Sequence, residues 1–192
     1  MENLFAILMG AMLVNNFVLT RFLGLCPFFG VSKKTSPALG MGLAVTFVMS
    51  LASFITWIIY RFVLLPLNIE YLQIITFILT IAVLVQFVEL FLKRFHEKLY
   101  KALGIYLPLI TTNCAILGVA FLNVQKNYNL IESLVFGISA GLGFTLALLL
   151  MSGIRERLEL ANVPKPMQGV PIAFIIASIM SMAFMAFSGM IK

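Results

Sequence analysis

The sequence predicts an all-α integral membrane protein, on the evidence of its composition and of long apolar stretches that recur along the chain. Of the 192 residues, 62% are hydrophobic and 10% are charged, and the mean hydropathy is +1.10. So few charged residues cannot cover the surface of a water-soluble domain of this length. We therefore expect a single transmembrane domain over residues 1–192.

Six apolar stretches are long enough to span a membrane, because a helix needs roughly 20 apolar residues to cross a hydrocarbon core of about 30 Å. In chain order they cover about 4–30, 38–62, 71–92, 102–122, 131–152 and 169–190. We interpret the first stretch as a span and not as a signal peptide. Glu2 stands where a signal peptide has basic residues, and the stretch is longer than a signal peptide's apolar region.

The basic residues between the spans predict the orientation of the chain. If the connections alternate between two sides, one side carries Lys33, Lys34, Lys93, Arg94, Lys98, Lys101, Arg155, Arg157 and Lys165, and the other carries Arg61, Lys126 and Lys192. The side rich in Lys and Arg is expected to be cytoplasmic, which puts both termini outside. Because these charges lie in separate short connections and form no single face, we expect membrane lipid and no nucleic acid as a partner.

The first span is expected to contain a break near Cys26. A continuous helix from Leu4 to Gly30 would be about 40 Å long, which is longer than the membrane core requires. Gly24, Pro27 and Gly30 surround the cysteine, and glycine and proline are the residues that interrupt helices.

The segment around Cys26 recurs in the second half of the chain. Cys26-Pro-Phe-Phe-Gly-Val31 aligns with Cys114-Ala-Ile-Leu-Gly-Val119, 88 positions later, and 38–42 resembles 139–143. The repeats cover about 1–92 and 100–192 and hold three spans each. Because three is odd, the second repeat must cross the membrane in the opposite sense. Inverted repeats commonly carry their functional site near the midplane, where broken helices meet, and Pro108 is expected to loosen the second cysteine helix.

The two cysteines are the candidate ligands of a metal centre, and no residue is predicted to be catalytic. A free cysteine is often only a small buried apolar residue, but these two recur at equivalent positions of the repeat. A disulfide within the bilayer is disfavoured. A zinc site needs four N or S ligands, and His96 lies in a cytoplasmic connection. Iron–sulfur clusters are generally held by four Cys thiolates, so two from this chain would require two from a partner, in a heterodimer or a homodimer around one shared [2Fe–2S] cluster.

Residues beside the cysteines are expected to support such a site. Amides freed near Gly24 and Pro27 could donate hydrogen bonds to cluster sulfurs, and Asn113 could cap a helix or orient the ligand segment. Asn15 and Asn16, like Asn113, are expected to be buried amides that satisfy neighbouring backbone groups.

Two charged residues have alternative interpretations. Arg21 could favour a thiolate at Cys26, or could extend as a cation to the membrane interface. Glu89 could pair with Lys93 one turn later, or could bind a transported ion.

The two cysteine segments also carry a resemblance to a known family. Residues 15–34, NNFVLTRFLGLCPFFGVSKK, and residues 107–120, LPLITTNCAILGVA, closely resemble the A subunits of Rnf complexes, which are ion-pumping ferredoxin:NAD oxidoreductases. The similarity extends through all six spans. The E subunit of the sodium-pumping NADH:quinone reductase shares the Cys-Pro-Phe and Asn-Cys-Ala cores, but residues 15–17 and 111–113 are more similar to the Rnf form.

The resemblance implies that Cys26 and Cys114 bind a [2Fe–2S] cluster jointly with two cysteines of the homologous Rnf E subunit, whose topology is opposite. It implies a bacterial or archaeal cytoplasmic membrane, the flavin-bearing D and G subunits and the iron–sulfur B and C subunits as partners, and coupling of electron transfer to Na⁺ or H⁺ transport. The alternatives are an E-type subunit of the quinone reductase, a secondary transporter, which also uses inverted repeats, and a scaffold with incidental cysteines.

Overall fold

The computed structural model describes residues 4–95, 107–161 and 163–189, and it contains helices and no strands within these ranges. The helices are α1 (Leu4–Val14), α2 (Leu25–Val31), α3 (Thr35–Leu67), α4 (Gln73–Phe95), α5 (Leu107–Thr111), α6 (Cys114–Gln125), α7 (Leu130–Glu159) and α8 (Val170–Met185). Wider π-helical turns form Gly10–Val14 of α1 and Tyr60–Leu64 of α3. The predicted all-α class is therefore confirmed.

Among the residues that the structure describes, four helical stretches are long and apolar enough to cross a membrane: Thr35–Leu67, Glu70–Phe91, Pro108–Gln125 and Leu130–Glu159. The helices Leu4–Val14 and Val170–Met185 are apolar but shorter. Large apolar side chains such as Phe5, Phe62 and Phe87 are mostly exposed, and so extensive an apolar surface requires lipid or partner chains around it. The six-span count stays a prediction.

The centre of the fold is the pair α3 and α7, which run antiparallel. Gly42 lies against Thr145, and Gly137 lies against Ser53, so residue numbers rise along one helix as they fall along the other. A Cβ atom at Gly141 would lie 2.6 Å from a backbone Cα of α3. Glycine is therefore required for this close approach. Small residues generally allow helix backbones to approach each other closely within a membrane.

Both ends of α7 are fixed by polar contacts. At its beginning, the backbone N–H of Asn129 donates to the Glu132 carboxylate over 3.0 Å, within a reciprocal capping box. Near its end, Arg155 Nη1 donates to Phe29 O over 3.0 Å and to Ser32 Oγ over 2.8 Å. The last turns of α7 therefore hold the connection between α2 and α3.

The helix breaks lie at different residues from those the sequence predicts. The first break covers 15–24, between α1 and α2, so Gly24 bounds it but Pro27 and Gly30 lie inside α2. Pro27 is the third residue of α2 and causes no break, because the first N–H groups of a helix have no intrahelical partner. The second break is at 112–113, and Pro108 lies in the first turn of α5.

Some predicted features lie outside the described residues. These are His96, Lys98, Lys101 and the first part of the predicted fourth span, 102–106.

Candidate functional site

Each cysteine lies in the first turn of a helix that follows a break. Cys26 is the second residue of α2, directly after Leu25, and Cys114 is the first residue of α6. Gly24, the residue before α2, has φ +80°, a left-handed conformation that glycine adopts without strain. The sequence repeat and the folded chain therefore give the two thiols similar local settings.

The two breaks are in direct contact, although they are far apart in sequence. The backbone N–H of Gly24 donates a hydrogen bond to Cys114 Sγ over 2.9 Å, across 90 positions of the chain. A Cβ atom at Gly24 would lie 3.0 Å from Asn113 Oδ1 and 3.1 Å from the Cβ of Ala115. The structure therefore brings the segment of Cys26 and the segment of Cys114 together.

Both thiols are exposed at the surface of the chain, whereas the residues that support them are buried. Cys26 and Cys114 are free and exposed, while Gly24, Pro27 and Asn113 are buried. Within the described ranges, no group of three or more His, Cys, Asp and Glu side chains could hold a metal ion. Two thiols that face outward are thus accessible to ligands supplied by another chain.

Asn113 holds the second break and keeps one donor unused. Its side chain is 3% exposed, and its Oδ1 accepts a hydrogen bond from the backbone N–H of Ala115 over 3.0 Å, as an N-cap of α6. The predicted capping role is confirmed. Its Nδ2 has no hydrogen-bond partner among the described residues, and an unpaired buried donor costs about 1–3 kcal/mol. A buried N–H₂ group beside Cys114 is therefore available for a further acceptor.

Asn16 organises the first break. Its Nδ2 donates to Gly143 O over 2.8 Å and to Met12 O over 3.2 Å, while its Oδ1 accepts from Val18 N over 3.1 Å. The side chain is fully buried, so it satisfies backbone groups that the break removes from helical bonding. The predicted burial of Asn16 and Asn113 is confirmed, but Asn15 is exposed and that prediction is wrong.

Two further side chains, both on other helices, hold the first break and the helix α2 that follows it. Ser181 Oγ, on α8, donates to Leu19 O over 2.6 Å. Arg155, on α7, holds α2 from its far end through Phe29 O. From the sequence, Arg155 is predicted only as one of the basic residues that mark the cytoplasmic side. No local sequence pattern indicates that its hydrogen-bond partner Phe29 lies 126 positions earlier.

The two charged residues with alternative interpretations are placed as follows. Arg21 is exposed, with its Cζ 5.9 Å from the centroid of the Phe17 ring. Glu89 is half-buried on α4, one turn before Lys93. The roles of Arg21 toward Cys26 and of Glu89 in an ion path stay predictions.

Together, the fold and the site define a class: an integral membrane protein of long apolar helices in which two interrupted segments meet and present two free thiols at the chain surface. A model of the family described as "Rnf-Nqr subunit, membrane protein" matches residues 4–191. The chain belongs to this family.

Individual relatives cover the chain almost completely. The chain is 56% identical over 192 residues to the A subunit of the ion-translocating oxidoreductase complex of Edwardsiella ictaluri (strain 93-146), with 100% of both chains covered. It is 59% identical over 184 residues to the A subunit of the Na(+)-translocating ferredoxin:NAD(+) oxidoreductase complex of Acetobacterium woodii, with 96% of both chains covered. The predicted resemblance to Rnf A subunits is confirmed.

Proposed function

We propose that the chain is the A subunit of an Rnf-type ion-translocating oxidoreductase complex, in which it carries electrons within the membrane and turns over no substrate alone. Membership of the family and the full-length similarity to A subunits support its place in such a complex. The single observation that carries the chemical part of the proposal is the hydrogen bond from Gly24 N–H to Cys114 Sγ, which joins the two cysteine segments.

Cys26 and Cys114 would hold one half of a [2Fe–2S] cluster, and two cysteines of the homologous E subunit would hold the other half. Clusters of this type take four thiolates, and this chain has two cysteines. When bound, the cluster supplies a one-electron redox centre inside the membrane. The residues present fit such a half-site, because both thiols are exposed and their segments are in contact.

The residues around the thiols are suited to tune a redox centre. The Gly24 N–H donates to Cys114 Sγ, and hydrogen bonds to cluster sulfurs help to set the reduction potential. The unused Nδ2 of Asn113 is a second donor next to this ligand. Pro27 is buried within α2 beside Cys26 and limits the freedom of that helix turn.

The inverted repeat belongs to the same proposal. The order of a broken helix, a long helix and a further helix occurs in α1–α4 and again in α5–α8. The long helices α3 and α7 are antiparallel, and this is the relation that equivalent helices of inverted halves must have. A homologous partner of opposite topology could then present its own two cysteines to this surface.

The orientation and the remaining partners follow from the charge pattern and the resemblance. Lys33 and Arg155 line one common pocket, which supports the assignment of their connections to the same, cytoplasmic side of the cell's inner membrane. The flavin-bearing D and G subunits and the iron–sulfur B and C subunits would supply and receive electrons. Coupling to Na⁺ or H⁺ transport would be a property of the assembled complex.

The test is the iron content of the anaerobically purified pair of A and E subunits. The wild-type pair should contain two iron atoms and show an electron paramagnetic resonance signal that appears on reduction, and Cys26→Ser or Cys114→Ser should remove both. Thr112→Ser is the matched control, since Thr112 is exposed in the second break and the change keeps its hydroxyl group. An iron-free wild-type pair, or full iron in both cysteine variants, would contradict the proposal.

A further inference from the structure

An apolar groove runs between α3 and α4, and Ile110 of α5 also lines it. Its volume is about 570 Å³. Its walls include Leu43, Phe47 and Leu51 of α3 and Leu84 and Phe87 of α4. These residues recur every three or four positions, so each helix presents one face to the groove.

The groove is longer than one leaflet of the membrane core is deep. Along α3 it extends from Gly40 to Ile55, which is about 22 Å of helix. This exceeds half of a hydrocarbon core of about 30 Å. A second apolar groove begins where this one ends and uses Ile59 and Leu79, so α3 and α4 lie antiparallel along both grooves.

Exposed cations lie at one end of the groove. Arg94 follows Phe91 by three residues and Phe87 by seven, so it lies on the groove face of α4, and it is exposed. Lys34 directly precedes α3, six residues before Gly40, and it is also exposed. Because the two helices are antiparallel, both cations lie at the same end of the groove, where Lys34 is also near the Glu156 carboxylate of α7.

We propose that this groove binds an acyl chain of an anionic phospholipid, with the phosphate of the headgroup between Arg94 and Lys34. Basic residues at the end of an apolar groove between transmembrane helices match the two parts of such a lipid. The apolar walls suit an acyl chain, and the cations at one end suit an anionic headgroup, so a lipid is favoured over an apolar partner helix.

The first experiment measures lipid retained by the complex purified in detergent, by native mass spectrometry and lipid extraction. Ala44 lines the groove, and Ala44→Trp should fill it and remove the retained phosphatidylglycerol. Ala183→Trp, on an exposed face of α8, is the matched control and should keep the lipid. Equal retention in both tryptophan variants would overturn the proposal.

The second experiment tests the charged end without altering the groove. The complex is equilibrated with vesicles that contain equal amounts of dioleoyl phosphatidylglycerol and dioleoyl phosphatidylcholine. Arg94→Gln should reduce the preference for phosphatidylglycerol about fivefold, the contribution of one basic residue near an anionic lipid surface. Arg157→Gln removes an exposed cation of α7 and should leave the preference unchanged. Equal preference in Arg94→Gln and Arg157→Gln would refute the assignment of the headgroup.

A third measurement distinguishes a lipid from a protein occupant. A photoreactive benzoylphenylalanine in place of Leu43 should crosslink to phospholipid in the native membrane. Crosslinking to another subunit would show a partner helix in the groove and would overturn the proposal. Neither outcome depends on iron, so failure here leaves the proposed electron-transfer role untouched.

Discussion

Replacement of Gly24 by alanine tests whether the contact between the two breaks depends on this residue. Its φ of +80° costs an L-residue about 1–2 kcal/mol. A Cβ atom would lie 3.0 Å from Asn113 Oδ1 and 3.0 Å from Phe144 Cε2, and such overpacking costs about 1–3 kcal/mol. Reduced freedom of the unfolded chain offsets about 0.4–1 kcal/mol. We expect Gly24→Ala to lower the free energy of unfolding by about 1–5 kcal/mol.

Two other glycines separate the contributions of backbone strain and close contact. Gly169 has φ +91° and ψ −119°, outside the left-handed helical region, and open space around its Cβ position, so Gly169→Ala should show backbone strain alone, about 1–3 kcal/mol. Gly153 lies inside α7 with nothing within 4 Å of a Cβ atom. Gly153→Ala should therefore stabilise the protein by about 0.5–1 kcal/mol, the usual difference between glycine and alanine in a helix.

The assay is unfolding of the purified protein in mixed micelles by increasing the fraction of sodium dodecyl sulfate, followed by far-ultraviolet circular dichroism. We expect Gly153→Ala to be more stable than the wild type, and both Gly169→Ala and Gly24→Ala to be less stable. If Gly24→Ala is as stable as Gly153→Ala, the contact between the breaks does not depend on glycine at this position and the reasoning is wrong.

Three further predictions concern the polar side chains that support the breaks. Asn16→Leu should cost about 2–4 kcal/mol, because it removes several buried hydrogen bonds, and the same unfolding assay checks this value. Asn113→Ala should shift the midpoint potential of the A–E pair before it lowers the iron content. Redox titration followed by electron paramagnetic resonance measures this potential, and an unchanged value would show that Asn113 acts only as a helix cap. Arg155→Gln should increase hydrogen–deuterium exchange at 32–35, because Ser32 loses a partner, whereas the exposed Arg157→Gln should leave exchange there unchanged.

The long helices could be predicted from hydropathy alone, because a continuous apolar stretch in a membrane protein has few alternatives to a helix. The predicted stretch 38–62 lies within α3, and 131–152 lies within α7. The small residues of these stretches were also a reliable signal, since Gly141 and Gly143 lie at close helix contacts. Local composition carries this information because lipid offers the backbone no hydrogen bonds.

The exact position of the first break could not be predicted from glycine and proline. The helix ends at Val14, ten residues before Gly24, because Asn16 bonds to Gly143 O on α7 and to the following backbone amides. A proline in the first turn of a helix is compatible with it, so Pro27 gives the position of a helix start and not of a break. The decisive contact joins residues 127 positions apart, and no local pattern contains it.

The hydrogen bonds of the two breaks explain why the thiols can face outward from a fixed backbone. Irregular backbone at membrane depth is tolerated only where its polar groups are satisfied, and here Asn16, Asn113 and Ser181 each bond to backbone atoms of a break or of the helix that follows it. These partners come from different parts of the chain, so the geometry of the breaks is set by the whole fold. The two thiols remain exposed, and the buried Nδ2 of Asn113 next to Cys114 has no hydrogen-bond partner among the described residues. Sulfur ligands together with an N–H donor suit an iron–sulfur centre far better than Na⁺ or another cation that prefers oxygen ligands. The chemistry of the two thiols and the Asn113 amide therefore favours the proposed electron transfer over direct ion binding at these residues.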